Sequence, residues 1–181
     1  MRIIGGAFKS RIFRPAKNFK ARPTTDFARE NLFNILHNRY DLETKKVLDL
    51  FSGTGSISFE FVSRGCPHVT CVELDRSHFQ FICSVIEKLG VKQSVRALNL
   101  DAFRYIAKSA EQFDFIFADP PYELKQIAEI PDLILGGQLL HPQGLLILEH
   151  GKTNDFSNHP FFQEIRKYGS VHFSLFSRVD P

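Results

Sequence analysis

From Lys46 onward, short apolar runs alternate with segments whose apolar residues recur at helical spacing. Val47-Leu48-Asp49-Leu50-Phe51 predicts a strand, and after a glycine-rich turn Ser56 to Arg64 predicts a helix closed by Gly65. Val69 to Leu74 is the second strand. A helix from Arg76 to Leu89 follows, with Phe79, Ile82, Ile86 and Leu89 on one face and Gly90 just beyond its end. Val95 to Leu98 is a third strand, Ala102 to Lys108 a short helix, and Phe113 to Ala118 a fourth, almost wholly apolar strand. Leu124 to Leu135 reads as helix broken at Pro131, and Leu145 to Leu148 as a fifth strand. Phe162 to Tyr168 and Val171 to Phe176, flanking Gly169-Ser170, predict an antiparallel hairpin. Before this series, Ile3 to Phe13 form two apolar stretches around Gly5-Gly6, a hairpin or bent strand. Lys17 to Arg22 is a basic loop. Pro23-Thr24-Thr25-Asp26 then opens a helix capped by Thr24 or Thr25, with Ala28, Leu32, Ile35 and Leu36 as its inner face.

Apolar strands separated by helices imply a parallel sheet buried on both faces, with right-handed crossovers. The expected class is α/β, doubly wound. In such sheets a ligand sits at the carboxyl ends of the strands, so the residues that follow each strand are the ones to inspect.

Composition narrows the class further. The 181 residues are 43% hydrophobic and include 19 Phe, enough for a packed core, and no apolar run approaches the roughly 18 residues needed to span a bilayer. The three cysteines, Cys66, Cys71 and Cys83, are not at metal-ligand spacing, which points to a reducing cytoplasm and to no metal. Glycines and prolines interrupt the N-terminal segment too often for an amphipathic transit peptide. Charge is divided unevenly. Residues 1–25 hold seven basic side chains and no acid, a balance of +7, while the remainder holds 16 basic against 20 acidic, a balance of −4. The chain therefore reads as one domain, a basic arm (1–25) on a slightly acidic body (26–181), and such an arm suits a phosphate-bearing partner.

The residues after the strands are informative together. Asp49-Leu-Phe-Ser-Gly-Thr-Gly-Ser56 places Gly53 and Gly55 where backbone amides can approach a ligand at a helix N-terminus. It lacks the Gly-Lys-Ser/Thr of a phosphate-binding loop, and Ser58 stands where a dinucleotide fingerprint needs glycine, so a ligand without pyrophosphate is favoured. Glu73 can accept ribose hydroxyls, leaving Asp75 to cap the next helix. Asp101 can accept from an adenine amino group or cap its helix, with the Ala102 amide donating to the ring. Asp119-Pro120-Pro121-Tyr122 is the most specific feature. Two prolines remove two backbone donors, so the Asp119 carboxylate and the Pro120 carbonyl can face one neutral amine while Tyr122 offers a ring for a planar base.

Taken in order, these motifs resemble the class I S-adenosylmethionine-dependent methyltransferases, and Asp-Pro-Pro-Tyr resembles the subset that methylates exocyclic amino nitrogens. Arg2-Ile-Ile-Gly-Gly6, Arg22-Pro-Thr-Thr-Asp26 and Arg29-Glu-Asn-Leu-Phe33 are similar to segments of the RsmD family of small-subunit rRNA guanine-N2 methyltransferases. The resemblance covers essentially the whole chain. It implies a Rossmann-like, seven-strand mixed sheet with an antiparallel last strand, S-adenosyl-L-methionine as cofactor, and 16S rRNA in an assembling or assembled small subunit as partner of a monomer. It implies a cofactor segment of Asp49, Phe51, Gly53, Thr54 and Gly55, with Gly53 and Gly55 flanking the methionine part. Glu73 would hold the ribose and Asp101 and Ala102 the adenine, while Asp119, Pro120, Pro121 and Tyr122 would hold the target base. Arg2, Lys9, Arg11, Arg14, Lys20, Arg22 and Thr24 would meet RNA, Arg22 and Thr24 near the cofactor end. Phe27 departs from the basic or polar residue common at its place in that family. Other readings of the same residues are amino methylation of DNA adenine N6 or a protein glutamine, a non-catalytic RNA-binding protein, and a nicotinamide oxidoreductase.

Overall fold

A computed structural model describes residues 1–15 and 25–179. It contains strands β1 (Lys46–Leu50), β2 (His68–Glu73), β3 (Val95–Asn99), β4 (Phe113–Ala118), β5 (Leu140–His150), β6 (Phe162–Tyr168) and β7 (Val171–Phe176). They form one sheet in the order β3-β2-β1-β4-β5-β7-β6. The first five are parallel, β7 runs antiparallel to β5, and β6 antiparallel to β7. The strand order reverses beside β1, so a crevice opens there at the carboxyl ends.

Helices α1 (Asp26–Arg39), α2 (Ser56–Ser63), α3 (Arg76–Leu89), α4 (Ala102–Lys108) and α5 (Ile130–Leu135) cover the sheet. Alternation of side chains explains the continuous apolar strands. Val47, Phe115, Phe117 and Ile147 pack under α1, α2 and α3, whereas Leu48, Leu50, Ile116 and Leu148 face α4 and α5 on the other side. Among the described residues no helix is long and apolar enough to cross a membrane.

Several sequence expectations are met to the residue: α3, α4, β4 and the β6–β7 hairpin have the predicted bounds. Thr25 caps α1 by accepting from the Ala28 amide, and Gly90 ends α3 in the left-handed conformation. Three expectations are corrected. On α1, Ile35 is only half-buried, and Arg29 and Phe33 are fully buried beside Ala28, Leu32 and Leu36, because the helix packs against α2 through the Phe33–Phe61 rings and an ion pair. Pro131 does not break a helix. It sits in the first turn of α5, where its missing N–H costs nothing, after a 3-10 turn at Lys125–Glu129. Finally, β5 starts at Leu140, and a bulge opposite Asp114 absorbs His141 to Gly144, whose proline and polar side chains hid the early start.

The arm is anchored at both ends of its loop. Arg2 and Ile12 form an antiparallel bridge, and Ile3 is buried in the core under α1 and α2. At the loop's tip the Ala7 and Phe8 amides donate to the Ser63 carbonyl and hydroxyl. Gly6 has φ +71, and a Cβ there would lie 1.7 Å from the Ser63 carbonyl oxygen, so only glycine permits this approach. Glu60, fully buried on α2, accepts from the Ile4 and Gly5 amides and pairs with Arg29 and Arg64.

Candidate active site

At the carboxyl ends of β1, β2, β4 and β5 lies a cavity of about 990 Å³. Its floor is the β1–α2 loop. Phe51, Gly53 and Gly55 all have positive φ (59°, 54° and 71°), an alternation that turns backbone amides toward one concavity. For Phe51 that conformation is strained, and its ring is held edge-on to Phe103 at 6.0 Å, both rings lining the cavity. Gly55 is the N-cap of α2, and a Cβ there would meet the Phe59 ring at 2.8 Å.

Glu73 ties two loops together. One carboxylate oxygen accepts from the Gly53 amide at 2.7 Å, the other from the Asp75 amide at 2.8 Å. Asp75 caps α3 through the Ser77 and His78 amides, as its position suggested. Asp101 caps α4 by accepting from the Arg104 amide while still lining the cavity beside buried Ala102.

Asp49 also lines the cavity, and one oxygen of its carboxylate is held from below: the Ser58 hydroxyl donates to it at 2.5 Å and the Ser58 amide at 3.2 Å. Ser58 in turn accepts from the Cys71 thiol. A glycine at position 58 would keep the amide bond to this acid but lose the shorter one from the hydroxyl. Burial raises the Asp49 carboxyl to about 7, helped by the nearby charge of Glu73 and opposed by the bonds from Ser58. A raised carboxyl favours the protonated folded form, so its stabilising contribution is present below the ordinary carboxylate pKa and is lost as pH rises through 7. Comparing urea unfolding of wild type and Asp49→Asn at pH 5 and pH 8, we expect the wild type alone to lose roughly 2–3 kcal/mol from this group. Equal slopes for the two proteins would show that Asp49 does not titrate in the folded chain.

The far wall is Asp119-Pro-Pro-Tyr122. The Asp119 amide donates to the Leu50 carbonyl, which locks the start of the turn to β1, and the Pro121 carbonyl accepts from the Leu124 amide. No described residue donates to the Pro120 carbonyl. Tyr122 packs on Gly151, whose Cβ would approach the ring at 3.3 Å, and its hydroxyl reaches buried Glu149 at 3.3 Å. Glu149 was missed by the sequence reading because the fifth strand was ended at Leu148. The signal was nevertheless present: an acid at the carboxyl end of a strand.

Among the described residues that line the cavity, the charge is one-sided. Asp49, Glu73, Asp75, Asp101, Asp119, Glu123 and Glu149 line it, and among the described residues no lysine or arginine does. Such a wall suits a ligand with positive charge and neutral amines and disfavours phosphates.

The structure does not bring the arm's described cations into this cavity. Arg2 pairs with Asp26 at 2.8 Å, Arg11 lies over the Phe8 ring, and Lys9 and Arg14 are exposed. The tip of their loop, Ala7 and Phe8, sits on the last turn of α2, the end of that helix away from the cavity, while Arg2 lies at the start of α1. Lys20, Arg22 and Thr24 lie outside the described residues.

A family profile described as conserved hypothetical protein 95 matches residues 1–177. Over 186 residues, 99% of this chain and 93% of the relative, the sequence is 30% identical to ribosomal RNA small subunit methyltransferase D of Buchnera aphidicola subsp. Baizongia pistaciae. The chain belongs to this family, the RsmD methyltransferases. Its fold is that of the class I methyltransferases. The candidate methyltransferase yhhF of Escherichia coli superposes with a TM-score of 0.85 at 26% identity, covering 100% of this chain and 99% of that one. An RNA methyltransferase from Salinibacter ruber, solved with S-adenosyl-L-homocysteine, matches in fold with a TM-score of 0.68 at 15% identity over 88% of this chain and 97% of its own. Within the RsmD chain the glycine turn, Glu73, Asp101 and the Asp-Pro-Pro-Tyr turn, far apart in sequence, all border one cavity.

Proposed function

We propose that this chain transfers a methyl group from S-adenosyl-L-methionine to the exocyclic N2 amine of a guanine in 16S rRNA, acting as a monomer in the cytoplasm on an assembling or assembled small subunit. The observation that carries the reading is the acid-lined cavity ending in Asp119-Pro-Pro-Tyr122. The name of the Buchnera relative supports the rRNA substrate, and the nucleoside in the Salinibacter structure supports the cofactor.

The residues fit such a cofactor. The Gly53–Gly55 loop would receive the methionine end, Glu73 the ribose hydroxyls, and Asp101 with the Ala102 amide the adenine, beside the Phe51 and Phe103 rings. The acidic wall complements an ammonium and a sulfonium and would repel the pyrophosphate of a nicotinamide cofactor. When bound, S-adenosylmethionine supplies an electrophilic methyl group. The chain's own residues prepare the nucleophile. A guanine amine is weakly nucleophilic because its lone pair is delocalised into the ring. Accepting one N–H at the Asp119 carboxylate and the other at the Pro120 carbonyl favours a pyramidal nitrogen with its lone pair aimed at the methyl carbon. S-adenosylmethionine held there would give up its methyl to the amine positioned by Asp119 and Pro120 and leave as the neutral thioether, and the methylated amine would then lose one proton to Asp119 or to water. A stacked base must turn out of the RNA to reach this point, and the Tyr122 ring, fixed by Gly151 and Glu149, is placed to hold it.

Mass analysis of small-subunit rRNA from a strain lacking the protein tests the reading. One guanine should lose one methyl group, restored by re-expression. An intact rRNA methylation pattern, or a methyl missing from DNA adenine or a protein glutamine instead, would refute it. A labelled-methyl assay on free rRNA, partly assembled subunits and mature subunits then identifies which of them is accepted.

A further inference from the structure

An aromatic and basic surface beside the cavity has no role in the site just described. Phe27, in the first turn of α1, is 66% exposed, yet its ring is held edge-on against Tyr168 at 5.9 Å, and Tyr168 is itself half-exposed. The topology fixes where this pair lies. β5 ends at His150, which is paired with His172 at the start of β7, and Tyr168 at the end of β6 is paired with Val171. The β6–β7 turn therefore stands at the same edge of the sheet as the cavity. A chain of contacts joins them: Tyr122 bonds Glu149, Glu149 is paired with Phe173, and the Phe173 ring lies 6.0 Å from Tyr168.

Two lysines stand on the Tyr168 side of the pair, near His172, whereas Asp26 and Glu30 flank Phe27 on α1. Lys152 follows Gly151, the residue that touches Tyr122, and Lys167 precedes Tyr168. Both are exposed and neither is in an ion pair with a described residue. Both lie close enough to His172 for their charges to help hold its imidazole below the ordinary value, after burial. The acid within reach of Lys167 is Asp155, while Arg166 is paired with Glu164. A lone exposed phenylalanine is unremarkable in a folded protein. An exposed ring held edge-on by a second, with two lysines outside any described ion pair on the same edge of the sheet as a pocket for a single base, is the arrangement of a single-strand nucleic-acid platform, where bases stack on aromatics and phosphates meet lysines.

We propose that Phe27 and Tyr168, with Lys152 and Lys167, form a docking platform for the single-stranded RNA that carries the target nucleotide, a flanking base stacking on the aromatic pair. The inference rests on the rRNA reading above and adds to it a second contact surface, separate from the basic arm.

The test uses fluorescence anisotropy of the full chain with a fluorescein-labelled unstructured RNA 12-mer, with S-adenosylhomocysteine affinity as a check on folding. Phe27→Ala should weaken RNA binding about tenfold and Phe27→Tyr should restore it, with S-adenosylhomocysteine affinity unchanged because Phe27 lies outside the cavity. Removing both lysines (Lys152→Ala with Lys167→Ala) should flatten the dependence of log K on log salt by roughly 1.4, about 0.7 for each. Wild-type RNA affinity in Phe27→Ala, or an unchanged salt slope, overturns the platform. So does a wild-type dimer that Phe27→Ala dissolves while RNA affinity stays intact, which assigns the surface to self-association. The two readings fail separately. Phe27-dependent RNA binding without methylation of any small-subunit guanine removes the reaction and leaves the platform, whereas methylation with RNA affinity indifferent to Phe27 does the reverse.

Discussion

Asp119→Ala is expected to lower methyl transfer by roughly 100- to 1,000-fold while leaving S-adenosylmethionine affinity within a few-fold. That magnitude is what loss of one preorganised polar contact to a reacting group commonly costs. The split between the two measurements follows from position. Asp119 belongs to the wall formed by the β4 turn, whereas the residues assigned to the cofactor come from the ends of β1, β2 and β3. Without the carboxylate the amine keeps one acceptor, the Pro120 carbonyl, and its second N–H no longer fixes the direction of the lone pair. Asp119→Asn should fall between wild type and alanine, since an amide oxygen can still accept but brings an unwanted donor. Single-turnover rates with cofactor affinity from calorimetry separate the two effects, and a normal rate in Asp119→Ala would remove this residue from the chemistry.

Glu60→Ala should be the most destabilising of the substitutions considered, by about 3–5 kcal/mol, because it leaves buried Arg29 without one of its two acids and strands the Ile4 and Gly5 amides. Arg29 is 1% exposed, and burial already pushes its guanidinium below the ordinary value, with Glu60 and Asp26 pushing back. In a chain of this size such a loss corresponds to a fall in Tm of roughly 10 °C. Glu60 lies outside the cavity, so unfolding is the proper readout. Thermal denaturation of Glu60→Ala and Glu60→Gln should give a large and an intermediate loss. Wild-type Tm in both would mean that the arm is held by Ser63 and Ile3 alone.

The two experiments bear on opposite ends of the molecule, and the contrast shows where local sequence sufficed. The Asp-Pro-Pro-Tyr turn was legible because its chemistry is written in consecutive residues after an apolar run, and its exposure at a strand end follows from the α/β pattern. α3 was legible to the residue because Asp75 and Gly90 mark both of its ends. Glu60 was not legible. It sits between Phe59 and Phe61 in an apolar helix, and its partners are 31 residues away at Arg29 and 55 at Gly5. No local pattern distinguishes such an acid from a solvated one. Asp49 lay between: its place at the end of β1 marked it, but its dependence on Ser58 and its raised carboxyl arise from burial.

By itself the sequence determined the element order, the parallel α/β class and the candidate chemistry at the strand ends, since hydrophobic period, caps and turn residues act over a few neighbours. The tertiary structure alone decided that those strand ends share one acid-lined cavity and that Glu149 joins it. It alone decided that none of the arm's described cations lines that cavity, and that Phe27 meets Tyr168 on the same edge of the sheet. These are relations between residues distant along the chain. They exist only once the sheet has chosen its strand order and brought the carboxyl ends of its strands together.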